Sequence, residues 1–408
     1  MKWIYKLYVD AYSGLDRSSW LIAFITLINR SGMMVLPFLG LYLTEDLKYS
    51  NAKAGIVLSI FGIGSMVGSL LGGYLSDRIG HFRIVFTSLF FGGILYILLA
   101  FISTYSTLCI AVFFASVVNE ALRPALTSSV SFYATKENTT RSFSLLRMAV
   151  NLGASIGPAL AGLLAVVGYF WIFIGDGFTS ITAALTYYYF FKGKGKLSQN
   201  KGDENSFTEE LSVKKDLLKQ NPLKDILFLL FCLGTLGYAI VFFQLWSSIP
   251  LFYKQVHFLP EPEIGILLAL NGLLVFIIEM PLVHRFENKI PPGRIIKFGV
   301  FFLALGIASL NFSSAHYILY VSMLLMSISE ILAMPFMMTA IIRRSGNENR
   351  GKYIGIYSMT WSSAFIFAPL LGTYVIEHFN YTTLWWVLCG ICCLTFMALH
   401  FCLKKIAH

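Results

Sequence analysis

At 57% hydrophobic and 13% charged residues, a soluble fold of 408 residues would leave far too much apolar surface in water, so the chain is not a soluble globular protein. The net charge of +10 invites a nucleic-acid reading, but its distribution rejects one: of 31 Lys and Arg, 25 fall in loops or at span ends on one side of the apolar segments, and only Lys48, Lys53 and Lys254 do so on the other. That asymmetry is the positive-inside bias of a membrane protein, and it predicts both termini in the cytoplasm.

Residues 1–17 mix Lys2 and Lys6 with Trp3, Ile4, Tyr5, Leu7 and Tyr8, and they show no cleavable leader pattern. They predict an amphipathic segment on the inner membrane surface. A run of about 20 apolar residues crosses a bilayer as a helix. Twelve stretches qualify: spans 1–6 at 18–44, 51–76, 83–103, 107–134, 142–166 and 169–191, and spans 7–12 at 225–252, 262–285, 295–313, 316–342, 352–376 and 382–403. Helices are required because hydrocarbon offers the backbone no hydrogen-bond partner. Residues 192–224 form the one long polar stretch, a cytoplasmic linker between a first bundle (18–191) and a second (225–403). Inside it, Ser206 and Glu209 fit a capping box, with Phe207, Leu211 and Leu218 on one helical face. A short amphipathic helix and a disordered tether both suit that composition. Residues 404–408 are a cytoplasmic tail.

The second six spans echo the first six. Gly55-Ile56 and Gly62 recur as Gly265-Ile266 and Gly272, Glu120 and Pro124 as Glu330 and Pro335, and Pro158 and Gly162 as Pro369 and Gly372. Parallel repeats of this kind build two pseudo-symmetric six-helix bundles with a substrate site between them near the bilayer midplane. The expected fold is therefore an all-α integral membrane protein of twelve transmembrane helices.

A charge within a span costs about 2.5–3.5 kcal/mol on insertion scales, so each one needs a reason. In chain order they are Arg30, Glu120, Arg123, Arg147, Asp176, Glu279 and Glu330. Arg30 offers a planar fork for a carboxylate or phosphate, or a salt bridge to Glu120. Glu120 and Arg123 are three residues apart and share a helical face. Arg147 is close enough to the inner surface to snorkel. Asp176 stands between Gly175 and Gly177, and both it and Arg147 read as structural. Four carboxylates against three arginines leave one without an opposite charge, the raw material of proton coupling. Glu330 has no arginine in its own span and is the first choice for proton carrier, followed by Glu279 and Glu120. All six cysteines lie in apolar spans and read as buried small hydrophobes, and no spacing suits a metal.

The loop after span 2 contains Gly73, Asp77, Arg78, Gly80, His81 and Arg83. It resembles the signature loop of the major facilitator superfamily, Gly-x-x-x-Asp-Arg/Lys-x-Gly followed by basic residues, with His81 where a basic residue is usual. The equivalent loop of the second half, around His284-Arg285-Phe286-Glu287, is degenerate. Span 5 carries Gly153, Gly157, Pro158 and Gly162. It is similar to the antiporter motif of that superfamily's drug:proton exporters, with Ala161 replacing one glycine. A second set, Asn29-Arg30 in span 1, Arg123-Pro124, Asn151-Leu152-Gly153 and Glu330 followed by Pro335, resembles the proton-dependent oligopeptide transporters. Thr26 and Asn29 stand where that group has acidic residues.

These resemblances imply alternating access, with spans 1, 4, 7 and 10 lining a central cavity. Asn29, Arg30, Arg123, Gln244 and Trp246 are then the expected substrate contacts. Asp77 is expected to brace one state against the start of span 11, near Gly351 and Lys352. The implied function is proton-coupled export of a small amphipathic or anionic organic compound. The alternatives are proton-coupled import of a peptide-like or zwitterionic nutrient and, in another class, a non-transporting membrane sensor or scaffold. The expected partners are a small-molecule substrate, protons and the lipid bilayer, with no nucleic acid. No cofactor is expected: with no Gly-Lys-Ser/Thr phosphate loop, the energy source is a proton gradient. No metal cluster or nucleophile–base pair points to an enzyme. The expected setting is a monomer in a bacterial inner (cytoplasmic) membrane.

Overall fold

The computed structural model describes residues 15–133, 139–193, 222–286, 290–313, 315–345 and 350–406, and every regular element among them is helical. Most of the amphipathic N-terminal segment, the linker with its Ser206–Glu209 capping box, and the chain's last two residues lie outside the described residues. Eleven helices are long and apolar enough to cross a membrane. Span 6, Phe170–Phe191, has 22 residues and is also long enough. Asp176 and the polar hydroxyls of Thr179, Thr182 and Tyr187–Tyr189 dilute its apolarity, and it packs against spans 1 and 3 as the twelfth helix.

The first span of each lobe is broken. Span 1 runs as Arg17–Ser31, then Val35–Leu41, then a π-helical turn over Tyr42–Asp46. Span 7 runs as Ile226–Phe242, a 3-10 turn over Phe243–Trp246, then Ser248–Gln255. Irregular backbone at membrane depth is tolerated where protein or a cavity satisfies it. Span 4 also breaks, at Ala121 between Tyr105–Glu120 and Leu122–Tyr133.

The repeated glycines are where the lobes touch. Gly55 of span 2 meets Thr373 of span 11, and its repeat Gly265 of span 8 meets Pro158 and Gly162 of span 5. Gly62 lies on Phe365, and its repeat Gly272 on Ser155. Two hydroxyls tie the same crossings: Ser59 donates to the Ile366 carbonyl and Ser155 to the Ala269 carbonyl, each at 2.9 Å.

These contacts continue to the face with few basic residues, called here the far face. There the Ala52 backbone N–H donates to Glu377 at 2.9 Å, and the Tyr169 hydroxyl donates to Glu261 at 3.1 Å. Toward the Lys/Arg-rich basic face several side chains of both lobes are exposed. Asp77, Arg78 and Lys352 are exposed, and a Cβ added at Gly355 would meet nothing within 4 Å. Among the described residues the far face is thus tied across the lobes, and Asp77, Arg78 and Lys352 of the basic face are left exposed.

Candidate transport site

The break in span 1 creates the polar pocket of the first lobe. Asp176 accepts the backbone N–H groups of Met34 and Val35, both at 3.1 Å, and so caps the restarted helix. Gly153 and Gly157 let span 5 press against Arg30 and Met33. Gly162, on another side of span 5, seats Glu261 and Pro262 of the other lobe. The antiporter-like motif therefore splits: two glycines support the kink that presents Arg30, and the third helps close the far face.

Arg30 lines a cavity with about 40 Å³ of room for water, together with Asn29, Tyr96, Asn119, Glu120 and Asp176. Its Nη1 points to the Met33 sulfur at 3.5 Å, and its Nε has no partner. Among the described residues no carboxylate lies within ion-pair distance of it. Glu120 is instead 3.3 Å from Arg123, and Arg123 is two-thirds exposed. Asn29 donates to Ser180 at 3.2 Å.

The second lobe contributes differently. Gln244 is fully buried: its amide donates to the Ala368 carbonyl at 2.9 Å and accepts from Ser247 at 3.3 Å. It fastens the break in span 7 to span 11 and does not face the Arg30 cavity. Trp246, half-buried, lines a separate apolar pocket with Leu36, Leu58, Phe243, Phe365 and Pro369. Glu330 accepts from Asn271 at 3.0 Å. Glu279 pairs with Arg147 and accepts from Asn151 at 3.1 Å, both donors belonging to the first lobe. Arg147 thus reaches across to the other lobe, with its side chain about half exposed.

The signature loop is a sharp turn. Gly80 has φ 89°, a left-handed backbone that suits glycine, between Asn51–Ile79 and His81–Leu99. The Arg78 guanidinium lies over the Tyr74 ring at 4.5 Å, and Arg83 is exposed. Gly73 faces Pro124 of span 4. Asp77 is exposed and makes no hydrogen bond or ion pair among the described residues.

Several site residues carry weak sequence signals. Asn271 is legible as an amide inside span 8, next to the repeated Gly272. Tyr96 and Asn119 belong to no motif, and only the packing of spans 3 and 4 brings them to Arg30.

Two six-span lobes that cross at repeated glycines, with broken first spans and a charged cavity at membrane depth, have the architecture of a membrane transporter. A sequence model of the Major Facilitator Superfamily matches residues 19–315 and 303–406, and the chain belongs to that superfamily. It is 24% identical over 365 residues to a Na(+), Li(+), K(+)/H(+) antiporter of Planococcus maritimus, covering 84% of this chain and 85% of that one. It is 22% identical over 363 residues to Multidrug resistance protein 1 of Bacillus subtilis (strain 168), covering 85% and 89%. It superposes on the peptide transporter POT in complex with sulfate with a TM-score of 0.79 at 16% identity, over 97% of this chain and 96% of that one. The nucleoside transporter NupG gives 0.75 at 16% identity, over 95% and 100%. These structural likenesses establish the fold.

Proposed function

We propose that the chain is a proton-coupled exporter of small amphipathic or anionic organic compounds, working by alternating access, with its basic face in the cytoplasm. Its work is transport and not catalysis. The observation that carries this reading is Arg30: a guanidinium inside a polar cavity, with an unpartnered Nε and no carboxylate at ion-pair distance among the described residues. A buried cation in that condition is costly, and an anionic group on a substrate is the natural partner. Asn29 lines the same cavity, Arg123 is joined to it through Glu120, and Trp246 offers an apolar wall where the lobes meet. The proton load falls to Glu330 and Glu279 in the second lobe, with Glu120 in the first. No cofactor is needed beyond the proton gradient, and one chain holds the whole site, which fits a monomer in a bacterial inner membrane.

The relative named a multidrug resistance protein supports export of organic compounds, and the one named a cation/proton antiporter supports proton exchange. Two arginines near the cavity work against a bare metal cation as cargo. A second reading, import of a zwitterionic nutrient, is favoured by Glu120, whose carboxylate lines the same cavity as Arg30.

The test is transport by purified protein in liposomes under an imposed pH gradient, followed with a pH-sensitive dye. The panel holds amphipathic organic anions, dipeptides, organic cations and Na⁺. Proton movement elicited by organic anions and opposed to theirs is the expected result. Movement with dipeptides in the same direction as protons selects the second reading, and a response to Na⁺ alone overturns both.

A further inference from the structure

Spans 9 and 12, the helices Pro292–Ser309 and Tyr381–Ile406, run antiparallel in the second lobe. Their contacts pass from Gly293 on Leu403 at the basic-face end to Ala304 on Cys389 deeper in. Gly293 lets the helices close up, since a Cβ there would meet the Leu403 side chain. One turn on, Lys297 Nζ comes within 3.5 Å of His400 Nδ1. An ammonium has donors only, so in this contact Nδ1 accepts and Nε2 carries the ring proton as a further donor. Arg294, one turn before Lys297, is exposed. No Asp or Glu among the described residues pairs with any of the three. Asp225, the carboxylate at this end of the lobe, is already taken up by Arg344, Phe228 and Tyr353.

The flanking side chains are apolar and exposed. Phe298 and Phe301 on span 9, and Phe396 and Phe401 on span 12, stand out from the bundle. Large exposed apolar groups on a membrane helix face hydrocarbon. Phe301 follows Lys297 by four residues and Phe396 precedes His400 by four, so each polar group heads an apolar stripe on its own helix. Lys297 stands about 8 Å along its helix from Pro292, where an ammonium needs an anion or water beside it.

We propose that the basic-face end of the groove between spans 9 and 12 binds the headgroup of an anionic phospholipid. Lys297 and His400 hold its phosphate, Arg294 stands at the rim, and the acyl chains lie along the two phenylalanine stripes. Charge complementarity selects this occupant: donors from two helices converge with no carboxylate to balance them, and a phosphate oxygen accepts charge-assisted hydrogen bonds from each. The stripes favour a lipid over free phosphate, because they continue the groove away from water. A zwitterionic phospholipid brings its own ammonium to the same cluster and binds less tightly. A bound phosphate bridges two helices, so its binding stabilises the folded lobe.

The test uses the full chain purified in a neutral detergent and titrated with phosphatidylglycerol, phosphatidylcholine or inorganic phosphate. Native mass spectrometry counts the lipid retained, and thermal unfolding reads its effect on the fold. Wild type should retain phosphatidylglycerol in preference to phosphatidylcholine, with an unfolding temperature that rises with the logarithm of phosphatidylglycerol concentration. Lys297→Gln should shift that dependence to about tenfold higher lipid, the loss of one charged hydrogen bond. Adding His400→Gln should abolish the preference, whereas Lys297→Arg should keep it. Lys192→Gln removes an exposed charge from the basic face of the first lobe and should change nothing. All variants should unfold as wild type does when no lipid is added, which separates lost binding from lost folding. A full phosphatidylglycerol response in the Lys297→Gln, His400→Gln double variant overturns the site. An equal loss in Lys192→Gln reduces it to diffuse attraction by the whole face. A wild-type response to phosphatidylcholine equal to that for phosphatidylglycerol overturns headgroup recognition, and an equal response to inorganic phosphate overturns the lipid as occupant.

Discussion

Asp225 and Arg344 meet in a two-point ion pair, Oδ2 to Nε at 2.7 Å and Oδ1 to Nη2 at 2.6 Å. The same carboxylate, just outside the membrane-spanning helix Ile226–Phe242, caps it through the Phe228 N–H at 3.1 Å and accepts from Tyr353 at 3.0 Å. It thereby joins the basic-face ends of spans 7, 10 and 11. Burial opposes ionisation of Asp225, but the donors from Arg344, Phe228 and Tyr353 outweigh it and hold the carboxyl below its usual range. A depressed carboxyl stabilises the fold above its unfolded pKa, about 3.9, and loses that contribution only as pH falls through the folded value. Asp225→Asn should cost about 1.5–3 kcal/mol, the scale of hydrogen bonds to a charged group. The deficit should stay constant from about pH 8 to about pH 5. Thermal unfolding in detergent measures it, and a deficit that shrinks across that window contradicts the assignment.

Gly265 packs against Pro158 and Gly162 where spans 5 and 8 cross, and no side chain fits between those backbones. Gly265→Val should keep the far face from closing. Exposed cysteines on that face should then label faster from outside, while the helical content stays that of wild type. Labelling rates equal to wild type would mean that the crossing bears no load in closure.

The internal repeat makes this crossing legible in the sequence. Gly55, Gly62, Gly265 and Gly272 recur because two equivalent helix pairs approach closely, and close approach demands small residues. Spans, lobes and the signature turn at Gly80 are equally plain, since each depends on local composition or backbone geometry. The partners of the buried charges are not. Arg147 finds Glu279, and Glu330 finds Asn271, because of which helices lie side by side, and a sequence orders helices along the chain without ordering them in space. The break in span 1 is hidden for the same reason. Its cap, Asp176, comes from span 6, and the Gly175–Gly177 setting marks the residue without naming what it holds.

Arg30→Lys tests recognition. Lysine keeps the charge but loses the planar fork. Affinity for an organic anion should fall by about 1–3 kcal/mol, the scale of a charge-assisted hydrogen bond, with little change in folding. Binding measured by calorimetry or by competition decides it, and equal affinity removes Arg30 from the site.

Asp77→Asn tests the gate. Among the described residues Asp77 makes no hydrogen bond or ion pair, so the substitution should leave this state and the protein's expression nearly unchanged. Its effect should appear in turnover, because closing the basic face brings span 2 toward the start of span 11. Transport in liposomes should slow. Wild-type turnover would reduce the loop to a turn.

Glu330→Gln tests the carrier. Of the membrane carboxylates outside the span 1 cap, Glu120 has Arg123 and Glu279 has Arg147, whereas Glu330 has the neutral amide of Asn271 as its hydrogen-bond partner. Glutamine reproduces a protonated carboxyl in size and in its ability to accept from Asn271, but it cannot release a proton. If Glu330 cycles a proton, the variant should lose transport against a gradient while retaining exchange of labelled for unlabelled substrate across a membrane without one. A brace between spans 8 and 10 would behave differently: both activities would fall together, and thermal stability with them. Retained uphill transport in Glu330→Gln would place the carrier elsewhere, with Glu279 and then Glu120 next in line.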